Sequence, residues 1–390
     1  MNRPTWHVFT GEYPPQTGGV GDYSALLSAA IAATGADVHV WTTPAPGPVP
    51  EAPGVTVHRV AGRWSPSDLS GIGTTLDRFT PPRRLLVQYT PNAWDYKGLN
   101  FAFCRWLVGR RRERGDEVRV MFHEVAFPFE FRGKPTRWLL AAGQRRMARA
   151  VLSAATHVDV AIPAWETTLR SLSPRDRRVY GWRPVPSNIP MVHDPEGVAE
   201  ARRRVAPGGE TVLASFGSFS ERVAPMLAEV LHGLLADRPD RVGLLIGRNG
   251  GRVAARMVGD HPALAGRVVA TGGLDPDDVS RQLQASDVVL QPYPDGVTTR
   301  RGSVMAALAH GLPTVTNMGR LTEPLWGDSG AVALAPGVLA ADLVGTAERL
   351  LADRAGRERL GQAGLELYER RFSIGRTVEA IVGPSLRFAP

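Results

Sequence analysis

The stretch GEYPPQTGGVGDYS, residues 11–24, follows the apolar run Trp6–Thr10 and leads into Asp22–Thr34, which has helical spacing. Prolines stiffen the approach, while Gly18, Gly19 and Gly21 admit backbone angles and close contacts that a Cβ forbids. Two uses fit such a loop. It can hold bare amides, those of Gly18, Gly19 and Val20, at the positive end of a helix dipole, where a phosphate is stabilised. It can equally be a tight turn that seats the helix on a sheet.

A second group of candidates lies in SDVVLQPYPDGVTTRRGSVMAALAHGLPTVTNMGRLTE, residues 286–323. A buried strand over Val288–Gln291 leads to a Pro-Tyr-Pro-Asp-Gly turn. Thr298, Thr299, Arg300 and Arg301 then run into a small-residue helix over 303–310, opened by Gly302 and Ser303 and closed by Gly311. Hydroxyls, two guanidiniums and free amides at one helix start suit a pyrophosphate. A capped helix with incidental arginines is the competing reading. Glu323, after the next glycine-containing loop, can accept from ribose hydroxyls.

Three further places carry reactive or binding groups at strand ends. GSFSERV puts Gly217 at the turn after Thr211–Phe216 and Arg222 near the next helix, where a guanidinium can fork onto a diphosphate or simply face water. FHEVAFPFEF puts His123 and Glu124 after another strand. That histidine can donate to a ligand hydroxyl or carbonyl, move a proton with its charge adjustable near neutral pH, or be a structural group bonded to backbone. Glu12 and Glu124 can bring carboxylates to an acceptor. The stretch QYTPNAWDYKG, residues 88–98, offers aromatics including Tyr89 for a sugar or lipid-linked acceptor, or forms a packed crossover.

Alternating strands and helices must position these groups. Strands are expected at Trp6–Thr10, Asp37–Thr42, Leu85–Tyr89, Val118–His123 and His157–Ile162. After the proline-rich segment 183–197 they resume at Thr211–Phe216, Gly243–Ile246, Val268–Thr271, Asp287–Gln291 and Thr314–Thr316. This rhythm predicts two α/β, doubly wound, Rossmann-like domains, the first over 1–190 and the second over 191–372, facing across a cleft lined by strand-end loops. At 390 residues the chain exceeds the roughly 250–300 at which one core stops growing, in keeping with two domains.

Composition narrows the class. The 43% hydrophobic and 22% charged residues are ordinary for a globular protein. The single cysteine, Cys104, excludes a disulfide framework. The N-terminus shows no signal-like apolar core and no run reaches about 18 apolar residues, so a cytoplasmic protein is expected. Twelve Lys and Arg against five Asp and Glu in residues 105–149 give that window +7 of the formal +8. Its Trp, Leu and Val alternate with Arg at helical spacing, so it fits peripheral contact with an anionic membrane or a solvated helix flank. No nucleic-acid module, GxSxG, P-loop lysine or metal-ligand spacing is present; no metal and no cofactor is expected, and amides and guanidiniums would have to balance the phosphate charge.

Taken together, EYPPQTGGVGDYS, FHE, PSNIP, the run from ASDVVLQPYPDG through MAALAHGLPTVT, and YERRFS resemble the retaining, nucleotide-sugar-dependent glycosyltransferases of the family 4 type, over nearly the whole length. The resemblance implies the glycosyltransferase B fold, a nucleotide-diphosphate sugar as donor, a glycan, lipid-linked or small-molecule acceptor, and a closing helix over 373–388 that crosses back to the first domain. It also implies donor contacts from Gly18 and Gly19, contact of His123 with the transferred sugar, and a diphosphate role for Arg222. Aligned on the turn, Asp295-Gly296 falls on the family's first Glu-Gly, which gives Asp295 the catalytic acidic position. Counted back from Gly311 instead, the second glutamate falls on Ala306 and the first on Thr298, and FGSFSERV lacks the family's Gly-Arg opening and lysine; Arg300 or Arg301 is expected to compensate. Two alternatives are a nucleotide-sugar 2-epimerase on the same fold and a non-catalytic nucleotide-sugar-binding protein.

Overall fold

In the computed structural model, residues 4–94, 98–128 and 135–383 are described. Parts of the aromatic stretch (95–97), of the segment after His123 (129–131) and of the expected closing helix (384–388) therefore lie outside the described residues. The chain divides into two units, Met1–Pro184 with Ile374–Pro390, and Val185–Ser373. The division falls at 184/185 rather than at 190/191. Hydrogen bonds explain this: Val185 N donates to the Thr299 backbone carbonyl, Ser187 N to the Tyr368 hydroxyl and Val192 N to Ser280 Oγ, so 185–192 belongs to the second unit.

The first unit runs β1 (Thr5–Phe9), α1 (Gly19–Ala32), β2 (Asp37–Trp41), β3 (Val55–His58), α2 (Pro66–Leu76), β4 (Arg84–Tyr89), α3 (Phe101–Glu113), β5 (Glu117–Phe122), α4 (Pro135–Ala154), β6 (His157–Val160), α5 (Pro163–Leu172) and β7 (Tyr180–Trp182). Among the described residues its strands form one parallel sheet in the order β3-β2-β1-β4-β5-β6-β7. Val8, Leu86, Val87, Val118 and Val120 are fully buried, as expected of strands covered on both faces. On α1, Tyr23, Leu27 and Ile31 fall on one helical face and turn inward.

The second unit runs α6 (Pro195–Val205), β8 (Thr211–Phe216), α7 (Ala224–Leu235), β9 (Arg241–Ile246), α8 (Gly250–Asp260), β10 (Val268–Gly272), α9 (Pro276–Gln284), β11 (Val288–Gln291), α10 (Gly302–Ala309), β12 (Thr314–Asn317), α11 (Pro324–Asp328), β13 (Ala333–Ala335), α12 (Ala340–Ala352) and α13 (Arg354–Leu367). Its parallel sheet has the order β10-β9-β8-β11-β12-β13. A π-helical turn, Tyr368–Phe372, and extended Ser373 interrupt the C-terminal helices before α14 (Ile374–Val382), which belongs to the first unit. Arg119 holds α14 there: it donates to the carbonyls of Ala380 and Ile381 while its guanidinium is paired with Asp159. A cation at a helix C-terminus complements both the dipole and the unpaired carbonyls.

Part of the basic window is thereby internal. Arg110 is buried on Asp116 and Asp77, and Arg119 is committed to Asp159 and α14. Arg105, Arg111, Arg112, Arg114, Arg146 and Arg149 remain exposed, as do Trp138 and Leu139 of α4. Among the described residues no helix is long and apolar enough to cross a membrane.

Candidate functional site

In each sheet the strand order reverses beside the first strand of the unit, between β1 and β4 and between β8 and β11. Ligands of doubly wound sheets bind past the carboxyl ends of the strands at such reversals. The loops that carry most of the candidate residues leave these strands.

In the first unit, α1 starts at Gly19 rather than Asp22, so the glycine loop is the helix's own first turn, with Gly18 as N-cap. Glu12, expected to meet an acceptor, caps it instead. Its Oε1 accepts from Val20 N at 3.1 Å and from Gly21 N at 3.0 Å. A Cβ on Gly18 would stand 2.2 Å from that oxygen, so a side chain there would push the Glu12 carboxylate off its cap. Val20 therefore has no amide to give a ligand in this conformation, while Gly19 borders open space. Gly11 serves a different close approach: a Cβ on it would lie 2.0 Å from Ala93 O, so the loops after β1 and β4 touch.

His123 follows β5 and is buried. Its Nε2 is 2.8 Å from Gln88 Oε1, its ring meets Tyr23 edge-on at 4.9 Å, and its carbonyl accepts from Trp165 Nε1. Burial pushes its pKa down to about 3. Burial thus favours the neutral imidazole near pH 7, against the expectation of a charge adjustable in that range, and leaves His123 a neutral hydrogen-bonding group in this structure. Glu124, next along, is half-buried. Tyr89 is also corrected: it is fully buried against Phe122, and desolvation raises its pKa well above the usual range. It presents no surface to an acceptor.

In the second unit, the loop from Pro292 to Arg301 is fixed at both ends. Asn317 grips Tyr293 twice, accepting from its N–H at 2.8 Å and donating to its carbonyl at 2.9 Å. At the other end Glu323 Oε1 accepts from Thr299 N at 2.9 Å and from Thr299 Oγ1 at 2.6 Å, while Oε2 accepts from Trp326 Nε1 at 2.8 Å. Glu323, expected to hold a ribose, is buried and committed to the loop. Thr298 and Thr299, expected to face a phosphate, are likewise buried, and the Thr299 hydroxyl is spent on Glu323. Asp295 is paired with Arg320 at 3.0 Å, and Gly296 (φ +83°) lies so close to Gly319 that a Cβ would sit 2.3 Å from its amide nitrogen.

The residues that do come together are Gly217, Arg301, Gly302 and Ser303, with Tyr293. A Cβ position on Gly217 is 4.0 Å from the Ser303 Cβ. Ser303 Oγ is 2.8 Å from the Tyr293 hydroxyl, and the Arg301 guanidinium carbon lies 4.6 Å from the Tyr293 ring centre. The amides of Gly302 and Ser303, the first two of α10, have no acceptor among the described residues, and Gly302 borders open space. Arg301 Nε is buried without a hydrogen-bond partner. Arg222 is exposed on the turn before α7 and makes no ion pair among the described residues. A helix start with two free amides, a hydroxyl and an unneutralised guanidinium has the groups that can hold an anion such as a pyrophosphate. Among the described residues no group of three or more His, Cys, Asp or Glu is arranged to hold a metal ion. Sequence reasoning missed Tyr293, Gln88 and Asn317; only the tyrosine had a visible signal, in its position between the strand and the arginines.

No family profile matches the sequence, and no curated protein matches it significantly. Solved structures do match it along nearly the whole chain. The glycosyltransferase WaaG of lipopolysaccharide biosynthesis superposes with a TM-score of 0.68 at 15% identity, covering 97% of this chain and 100% of that one. Sucrose-phosphate synthase from Thermosynechococcus elongatus superposes at 0.72 and 19%, covering 98% of each. Anabaena HepE in complex with UDP-glucose superposes at 0.67 and 14%, covering 97% of this chain and 98% of that one. The chain has the glycosyltransferase B fold. One parallel α/β sheet with interleaved helices is what that fold requires of each half, and both sheets are present here.

Proposed function

We propose that the protein is a glycosyltransferase of the retaining, family 4 type that moves a hexosyl group from a nucleotide-diphosphate sugar to an acceptor hydroxyl without a metal ion. The observation that carries this reading is the start of α10, where the free amides of Gly302 and Ser303, the Ser303 hydroxyl and Arg301 meet beside Gly217. The structural relatives lend it support, since HepE binds UDP-glucose.

In this reading the second unit binds the donor. The bond from the anomeric carbon to the diphosphate oxygen breaks, the acceptor oxygen bonds to that carbon, and the acceptor's proton passes to the departing phosphate. Preorganised amides and the guanidinium stabilise the charge that develops on the leaving group without reorganising. The first unit takes the acceptor, with neutral His123 and the open Gly19 amide as its hydrogen-bonding groups.

The test is calorimetric titration with a panel of nucleoside diphosphates and nucleotide sugars, with and without EDTA, followed by product analysis against acceptor pools. Saturable binding that survives EDTA, with sugar transfer to one acceptor class, is expected. Absence of nucleotide binding, or binding only with a divalent ion, overturns the reading. Conversion of the nucleotide sugar in the absence of any acceptor identifies an isomerase instead.

A further inference from the structure

We infer that Tyr293 is a positioning residue of the donor site, holding Arg301 and Ser303 in the geometry that grips the second phosphate of a nucleoside diphosphate; this rests on the reading given under Proposed function.

Tyr293 is constrained on every polar atom it has. Asn317 holds both its backbone groups, and its hydroxyl lies 2.8 Å from Ser303 Oγ and 3.3 Å from Gln291 Oε1. Gln291 in turn donates from Nε2 to Phe216 O at 3.0 Å, immediately before Gly217. One buried side chain therefore ties together the end of β8, the end of β11 and the first turn of α10. The ring does a second task. Arg301 lies over it at 4.6 Å, and the aromatic face attracts the cation and orients its planar fork. An arginine held this way is not neutralised by any carboxylate: among the described residues Arg301 has no ion pair, and its Nε is buried with no partner. The nearby carboxylates are engaged elsewhere, Asp295 by Arg320 and Glu323 by Thr299 and Trp326. The fixed cation is left for an anion from solution.

The position of Ala306 gives the arrangement its purpose. It is fully buried and apolar, on the face of α10 turned into the core. Grip on the donor must then come from the first turn of α10 and from Arg301, whose side chain Tyr293 orders in advance. Removing an entropic cost of ordering a long side chain raises affinity without adding a contact to the ligand.

The test compares binding of a nucleoside diphosphate and the corresponding monophosphate, UDP against UMP and ADP against AMP, by calorimetry to wild type, Tyr293→Phe, Tyr293→Leu, Arg301→Ala and the double variant Tyr293→Leu/Arg301→Ala. Tyr293→Leu is expected to weaken the diphosphate about tenfold and the monophosphate by less than about threefold, because the cation–π hold on Arg301 is lost. Tyr293→Phe keeps the ring and is expected to fall between wild type and Tyr293→Leu. In the double variant the loss should be less than the sum of the two single losses, any excess over Arg301→Ala alone being the hydroxyl's hold on Ser303. A merely structural role would weaken both nucleotides alike; that outcome, or additive losses, overturns the inference while leaving nucleotide binding intact. If Tyr293→Leu does not fold, Tyr293→Phe carries the comparison, and an unchanged diphosphate-to-monophosphate ratio there rejects the hydroxyl's part. Failure of wild type to bind any diphosphate overturns the functional reading itself, and this inference with it.

Discussion

The two units solve the same topological problem with opposite results. Each reverses its strand order beside its first strand, and each has a glycine-containing helix start past a reversal strand. At α1 the chain supplies its own anion: Glu12 occupies the amides of Val20 and Gly21. At α10 the carboxylate at hand, Glu323, is turned away and spent on Thr299 and Trp326, so that the helix start keeps its free amides and its arginine. The difference teaches that a glycine-rich strand-to-helix junction is not by itself a phosphate site. What decides is where the nearest carboxylate is anchored.

The units differ in their histidines in the same sense, and acid gives the largest expected effect. In the first unit burial, with His39, His58, Arg110 and Arg83 nearby, pushes His7 down to about 3, and burial does the same to His123. Burial also lowers His39 and His58; in the second unit it lowers His310. Each of these groups is more basic unfolded, near 6.5, than folded. The unfolded chain therefore binds more protons as pH falls below about 6.5, and the stability these neutral histidines confer is lost progressively with falling pH, for His7 and His123 down to the folded value of about 3. At pH 5 the loss is about 2 kcal/mol for each of His7 and His123. Hydrogen exchange at pH 7 and pH 5, corrected for intrinsic rates, should show β1 and β5 losing protection before β8 and β11. Equal loss in both units would break the comparison.

The next effect lies behind the donor loop. Glu323→Ala removes three hydrogen bonds and takes from the Thr299 backbone and hydroxyl and from the Trp326 indole N–H the buried carboxylate they share. Unsatisfied buried donors cost about 1–3 kcal/mol each, so the second unit should lose about 3 kcal/mol. Urea unfolding followed by exchange in β11 and α10 reads this directly. Glu323→Gln, which keeps one acceptor, should lose less; if Ala and Gln variants match wild type, the carboxylate is not the anchor described.

How much of this was legible depended on distance along the chain. Val288–Gln291 and Thr211–Phe216 announce themselves because buried parallel strands are continuous apolar runs. Arg301, Gly302 and Ser303 could be placed together because they are neighbours at one helix start. The edge strands β3, β7 and β13 escaped notice, being three or four residues long and partly exposed. The side-chain anchors escaped for another reason. Glu12 reaches Val20 around a proline turn, and Glu323 reaches Thr299 from the far side of β12, so a carboxylate that caps a loop and one that faces a ligand look identical in sequence. Tyr89 shows the converse: an aromatic in a strand end reads as a platform until its burial is known.

The smallest effect bears most directly on the comparison. Glu12→Ala strips α1 of its cap, and loss of such a cap costs about 1 kcal/mol of stability in the first unit, while Glu12→Gln keeps an acceptor oxygen and costs a few tenths. The more telling readout is anion rescue. With Glu12 gone, the amides of Gly19, Val20 and Gly21 form an unfilled helix start like that of α10, and inorganic phosphate should protect α1 from exchange in Glu12→Ala but not in wild type. Under the proposed function, affinity for a nucleoside diphosphate should stay unchanged in the variant, because the diphosphate would be gripped at α10. If phosphate protects α1 equally in both proteins, Glu12 does not occupy those amides in solution, and the two helix starts are alike after all.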